Sequence, residues 1–361
     1  MDMGITNALR ALLVGVVCAV GLGIPAKAAS ADTLDIYFID VEGGQSVLVV
    51  TPEKRSLLID AGWAGDGSGF KPGDPRKARD ANRILAAAHD AGISAIDFLL
   101  ITHFHTDHFG GVSELAQLMP IRAFVDHGSP HPQAAATSAD TRDAFALYSA
   151  LRGKGGARHM EPRADDRLPL DDVEVVVVSA GGGTLSRPQP GGGSPNPACP
   201  AQPIPAGDPD ENPRSTGVLV RHGRFTFLDV GDLSGKPLLN LVCPRNLIGR
   251  VDAYITAHHG AADAAEPATL AAFQPRVVMV NNAPRKGGQR AMFEVLHRAS
   301  GIENVWQLHK SDDARELNYP DEFIANVGDS DGSWIKLVAN EDGSFRVFNA
   351  RTKKWKDYPT R

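Results

Sequence analysis

The sequence predicts an α+β fold, and three observations carry that prediction. Residues 32–59 read as three short apolar strands joined by tight turns, an antiparallel meander. From residue 78 onward, stretches of helical periodicity alternate with apolar strands, which layers helices against the first sheet. Side chains of the kind that bind metals recur at the C-terminal ends of apolar strands: Asp60, a cluster beginning at His103, Asp232, and His258 with His259.

The first strand covers 32–40, where Leu34, Ile36 and Phe38 alternate with Asp35 and Tyr37. The chain turns at 41–45, returns through 46–50, and a further turn at 51–54 leads to 56–59, ending in Asp60-Ala61-Gly62. Residues 64–76 are a Gly-, Pro- and Asp-rich loop, and 78–90 carry helical periodicity ended by Gly92. A buried strand at 96–101, a short helix at 112–119 and a strand at 121–125 follow. Residues 140–152 read as helix and 173–178 as a β-branched strand. Residues 181–213 contain Gly-Gly-Gly twice and many prolines, the composition of a mobile surface insertion. A hairpin over 217–228 turns at His222-Gly223, a short helix spans 237–243, and strands recur at 251–257, 277–280, 305–308, 334–338 and 345–348. The last two flank the turn Asn340-Glu341-Asp342-Gly343.

At the N-terminus, Arg10 precedes an apolar run over 11–24, and Ala26-Lys27-Ala28 fits a small-x-small cleavage site. Residues 1–28 therefore read as a signal peptide, too short for a comfortable membrane span, and 29–361 as one domain. Loss of Asp2, Arg10 and Lys27 takes the net charge from −6 to −7. That sign excludes a global field attracting nucleic acid or an anionic membrane. The Lys353-Lys354-Trp355-Lys356 stretch is the most basic patch and reads as a solvated terminus. Export to the periplasm or beyond would permit Cys199 and Cys243 to pair, a question their spacing leaves open.

The richest stretch is Thr102-His103-Phe104-His105-Thr106-Asp107-His108-Phe109-Gly110-Gly111. His103 and His105 alternate, so on an extended strand end they face one side, while Asp107 and His108 fall where the backbone turns. Imidazole and carboxylate at that density are ligands suited to zinc, manganese or iron. Asp60, closing an apolar strand before a glycine, either caps its loop or orients a metal ligand. His309 and Lys310, after the strand at 305–308, either reach the cleft and bind an anionic group or lie on a solvated rim, and the rim is the expected place.

His103-x-His105-x-Asp107-His108 followed by Gly-Gly resembles the signature of the metallo-β-lactamase superfamily. Leu58-Ile59-Asp60-Ala61-Gly62 resembles its first motif, and Leu228-Asp229-Val230-Gly231-Asp232 its bridging-aspartate motif. His258-His259-Gly260 is similar to its last motif in the form seen in the hydrolase domain of ComEC-type competence proteins. Asp40-Val41-Glu42-Gly43-Gly44-Gln45 and residues 212–215 are similar to that branch as well. The resemblance implies an αββα four-layer sandwich with two divalent metal ions in its cleft, zinc in the first place. His103 and His105 would bind the first metal, Asp107 and His108 the second, and Asp232 both.

His258, first after its strand, would complete the second site, leaving His259 to touch substrate or donate a proton. The family's further histidine on the first metal has no counterpart after 173–178, which runs into Ser179-Ala180-Gly181. His127, His131 and His159 are the candidates, and His127 is best placed because it too ends a strand. The implied activity is that of an exported metal-dependent hydrolase using a metal-bridged hydroxide, with Asp107 holding or accepting the water's proton. A phosphodiester or other phosphate ester is the favoured substrate. Hydrolysis of a lactam, lactone or thioester, and a non-catalytic metal-binding module, are the alternatives. DNA uptake is not implied, because no long apolar run follows residue 28.

Overall fold

The computed structural model describes residues 1, 32–154, 156–201, 210–328 and 332–361. The expected signal segment, residues 1–28, lies outside the described residues apart from Met1. Among the described residues no helix is long and apolar enough to cross a membrane.

Two large mixed sheets face one another. The first has nine strands in the order Lys354–Tyr358, Phe345–Asn349, Ile335–Asn340, Thr33–Phe38, Val47–Val50, Ser56–Ile59, Phe98–Leu100, Ala123–Val125 and Arg158–Met160. The second runs Ile324–Asn326, Asn304–His309, Val277–Val280, Ala253–Ile255, Phe225–Asp229, Gly217–His222, Glu174–Ala180 and Arg167–Leu168, with Gly183–Thr184 paired beside Glu174–Ala180. The meander expected over 32–59 is present, with Ile36 opposite Val49 and Leu48 opposite Leu58.

Three apolar cores make the architecture a four-layer αββα sandwich. Between the sheets, Leu34, Ile36 and Phe38 meet Val175, Val218, Val220 and Phe227. Phe38 and Phe227 touch edge to face with ring centroids 5.7 Å apart. Behind the first sheet, Tyr37, Leu48 and Leu58 pack against the helices Arg79–Asp90, Val112–Leu118 and Ala139–Arg152. Behind the second, Val176, Val178 and Leu228 pack against Gly235–Asn240, Pro267–Phe273 and Arg290–Arg298. Successive strand residues point to opposite faces, and both faces are covered, so both sets are apolar. That explains why Tyr37, which alternates out of phase with Leu34, Ile36 and Phe38, is fully buried. Its hydroxyl donates to Asp90 Oδ2 at 2.7 Å.

The parallel pairings position the chemistry. Ser56–Ile59, Phe98–Leu100 and Ala123–Val125 run parallel in the first sheet, and Phe225–Asp229, Ala253–Ile255 and Val277–Val280 in the second. Parallel neighbours end on the same edge of their sheet. The loops that follow them carry Asp60, His103, His127, Asp232 and His258.

Several expectations change. The basic stretch near the C-terminus is solvated, as expected, but is also an edge strand, with Trp355 against Phe348 at 4.9 Å. Period-2 character is hidden there because four of its five residues are exposed. The described part of the 181–213 insertion is tied to the body: Asn196 donates to Val242 and Ala268 carbonyls, and Glu211 is fully buried. Cys199 and Cys243 form a disulfide. His309 is buried rather than on a rim, its Nε2 2.8 Å from Asp40 Oδ1, while Lys310 pairs with Asp321.

Truncation of Phe227 to alanine removes the ring that bridges the two sheets. Chemical denaturation of this variant is expected to show a loss of about 3–5 kcal/mol, and a loss below about 1 kcal/mol would contradict the position of the inter-sheet core.

Candidate metal centre

Asp60 begins the site. Its backbone is left-handed, with φ 61°, a conformation costly for a residue bearing a Cβ. That turn aims the carboxylate across the edge of the sheet. Oδ1 accepts from the Thr102 amide at 2.8 Å, and Oδ2 accepts from the Thr102 hydroxyl at 2.8 Å. The same Oδ2 lies 2.7 Å from His108 Nδ1. Asp60 thus does both things expected of it: it holds the Thr102 loop and it lies against an imidazole, that of His108.

The His103 loop then folds tightly. Thr106–Phe109 forms one helical turn with His105 at its N-cap. Gly44 lets the turn after the first strand press against this loop, since a Cβ there would lie 2.3 Å from the Asp107 carbonyl oxygen. Gly111 performs the same service against the Ala61 carbonyl.

The inward-facing atoms converge on Asp232 Oδ2. His108 Nε2 is 3.2 Å away and His259 Nε2 3.3 Å; His103 Nε2 and His258 Nε2 are each 3.8 Å away. Asp107 Oδ2 lies 3.3 Å from His259 Nε2 and 3.5 Å from His108 Nε2. Two pairs of ring nitrogens face each other, His103 Nε2 with His105 Nδ1 at 3.0 Å and His108 Nε2 with His259 Nε2 at 3.3 Å. Asp107, His108, Asp232 and His259 are buried and form a group that could hold a metal ion.

Electrostatics agree with that chemistry. Burial and the neighbouring His108 and His105 push His103 well below the usual histidine range, so its nitrogens keep a lone pair to donate. Burial works against charge on His108, yet Asp232, Asp107 and Asp60 together raise it well above that range. Burial likewise works against ionising Asp232, but His108 and His259 hold it well below the ordinary carboxylate range. Lys286 and His108 do the same for Asp107. The donor set fits divalent cations. Facing nitrogen lone pairs at about 3 Å repel unless a proton or a metal lies between them, and Asp232 Oδ1 is buried with no partner.

The sequence-derived residues divide. His103, His105, Asp107, His108, Asp232 and His259 are drawn together. The expectation gave the last position of the second group to His258; in the structure it is His259 Nε2 that groups with Asp107, His108 and Asp232, and His258 Nε2 lies 3.8 Å from Asp232 Oδ2. Both histidines are left-handed, at φ 49° and 54°, strain on the order of 1–3 kcal/mol each. The double left-handed turn, invisible to an extended-strand reading, sends the second ring inward. His127, the candidate for the first metal, lies outside the group around Asp232. Its Nε2 is 3.2 Å from Glu211 Oε2, and its ring packs edge-on against Phe104, so it braces the loop.

Other contributors carry no expected role. Asp210 lies 3.4 Å from His105 Nε2. Asp263 Oδ1 lies 2.7 Å from His258 Nδ1. Gln45 bridges Asp229 and Asn281, and the Asn281 amide reaches His259 Nδ1 at 3.1 Å. The Lys286 ammonium contacts the Asp107 carboxylate and stands over the Trp63 ring at 4.7 Å. Gln45 and Asp229 lie inside stretches that the sequence marks, and Asp263 is five residues beyond His258; Asp210, Asn281 and Lys286 have no such signal.

Residues 40–200 match the family model described as the metallo-beta-lactamase superfamily. No curated protein matches the chain. Among solved structures, the chain is similar to the metallo-beta-lactamase fold protein YhfI from Bacillus subtilis, at 12% identity over 76% of this chain and 96% of that one, TM-score 0.45. It is similar to a diphosphatase from the PhnP family, at 12% identity over 82% and 95%, TM-score 0.37. It is also similar to CmlA, a diiron beta-hydroxylase from Streptomyces venezuelae, at 15% identity over 69% of this chain and 44% of that chain, TM-score 0.35.

Asp60→Asn keeps an oxygen facing His108 Nδ1 but removes its charge. The expected result is a metal affinity about 10–100-fold weaker in competition with a chromophoric chelator, with the fold intact by circular dichroism. Unchanged affinity would remove Asp60 from the centre.

Proposed function

We propose that the chain, whose residues 40–200 match the metallo-beta-lactamase superfamily model, is an exported metal-dependent hydrolase of phosphodiesters or other phosphate esters. The observation that carries the reading is the convergence of imidazole nitrogens and the Asp107 carboxylate on Asp232 Oδ2.

Two divalent ions are proposed. His103 and His105 would hold one, Asp107, His108 and His259 the other, with Asp232 between them. Nitrogen and carboxylate donors suit zinc first, and manganese or iron also. When bound, such a pair supplies Lewis-acid stabilisation of a phosphoryl oxygen and lowers the pKa of water.

The chain's own residues supply orientation and charge. Asp60 fixes the His108 tautomer, and Asn281, braced by Gln45, addresses the outer nitrogen of His259. Asp107 is the carboxylate placed to hold or accept a proton from water. Lys286, 41% exposed at the edge of the cluster, offers a cation to an anionic substrate. A neighbouring cavity of about 540 Å³ has Lys286, Arg285 and Lys310 in its wall together with Glu42 and Asp312. A preorganised cation beside the reacting group stabilises charge that develops there. The Lys286 ammonium beside the cluster supports a phosphate ester over a neutral lactone or thioester. The Cys199–Cys243 disulfide supports an oxidising compartment, in keeping with the N-terminal segment.

Hydrolysis of bis(4-nitrophenyl) phosphate is the test. Activity should vanish with a chelator, return with zinc or manganese, and fall at least ~100-fold in His105→Ala. Full activity in that variant would sink the site. Turnover of lactams, lactones or thioesters with none of phosphodiesters would overturn the substrate class.

A further inference from the structure

His258 is left over by the assignment above, and so is a gap: the first metal position holds His103 and His105 without the third histidine expected between residues 108 and 232. We propose that the two adjacent histidines are divided between the two metals, His259 serving the second and His258, beside Asn212, completing the first. This rests on the two-metal reading just given.

Four observations carry it. The left-handed backbone at both residues directs the rings to separate places, with centroids 6.0 Å apart. Both nonetheless present Nε2 to the same atom, Asp232 Oδ2, at 3.8 Å for His258 and 3.3 Å for His259. His103 Nε2 stands at the same 3.8 Å from that oxygen as His258 Nε2 does. A carboxylate oxygen shared by two metal positions would be flanked in this way, with two rings closer and two farther.

The third observation is what lies behind His258. Asp263 Oδ1 is 2.7 Å from Nδ1, the carboxylate–histidine arrangement that puts a proton on the outer nitrogen and leaves Nε2 free to donate to a metal. Asp60 stands in the same relation to His108, also at 2.7 Å. The fourth is Asn212. Its amide nitrogen lies 3.3 Å from His258 Nε2, while its side-chain oxygen is buried and has no partner. The residue is only 9% exposed. A buried amide oxygen without a partner is costly, and a cation held by His258 next to it would be that partner. His105, the other ligand on this side, is backed by Asp210 at 3.4 Å from its Nε2, so each outer ring has an acidic partner.

The test uses the metal-stripped full-length chain, titrated with zinc by calorimetry and checked by elemental analysis. Wild type should bind two ions, while His258→Ala and His259→Ala should each bind one. The double variant His103→Ala with His258→Ala should still bind one ion, because both changes strike the same position. His258→Ala with His259→Ala should bind none. Asp263→Asn should retain two ions, with one of them held about 10–100-fold more weakly. Circular dichroism of each variant reports folding, and His258, 27% exposed, tolerates truncation better than the buried rings. Two ions at wild-type affinity in His258→Ala would overturn the division. Fewer than two ions in wild type would instead overturn the two-metal reading on which it rests.

Discussion

Asp232 Oδ2 is the point on which the centre depends. Four imidazole nitrogens lie within 3.8 Å of this one oxygen, in a position screened from water by both sheets. A buried carboxylate is expensive unless positive charge or hydrogen-bond donors surround it. Here His108 and His259 outweigh the effect of burial, and Asp107 stands beside Lys286 in the same way. The charges are mutually dependent, since removing any one leaves another buried without its counterpart. A divalent cation is the chemical answer to such an arrangement.

The sandwich makes that concentration of charge possible. Each sheet contributes parallel strands whose ends lie on one edge, and the apolar core between the sheets locks the two edges together. Asp60 and the His103 loop come from the first sheet; Asp232, His258 and His259 come from the second. The ligand-bearing turns are stiffened by backbone that few residues adopt, at Asp60, His258 and His259. Such conformations persist only where packing and hydrogen bonds over-determine them. Asp60 has three such bonds, two to Thr102 and one to His108.

A ring of outer partners completes the centre: Asp60 behind His108, Asp263 behind His258, Asp210 behind His105, Asn281 behind His259. Glu211, at the end of the Gly- and Pro-rich insertion, fixes the loop from outside through the Phe104 amide, the His131 amide and His127. The insertion thus shapes the centre through its last residues, although its composition suggested only a surface loop.

By itself the sequence determined the layered α+β architecture and the membership of most of the cluster. Strand periodicity, the spacing of His103, His105, Asp107 and His108, and the placement of Asp60 and Asp232 after apolar runs are local properties, readable without knowing what packs where. Tertiary structure alone decided which of His258 and His259 turns inward, because that depends on a left-handed turn with no glycine to announce it. It alone tied His127 to Glu211, 84 residues away, and brought Lys286 to Asp107, 179 residues away. It also made an edge strand of the basic C-terminal stretch, since pairing with a neighbour rather than alternation holds that strand in place. Contacts between residues so distant in the chain follow from how the two sheets face each other, and no local pattern records them.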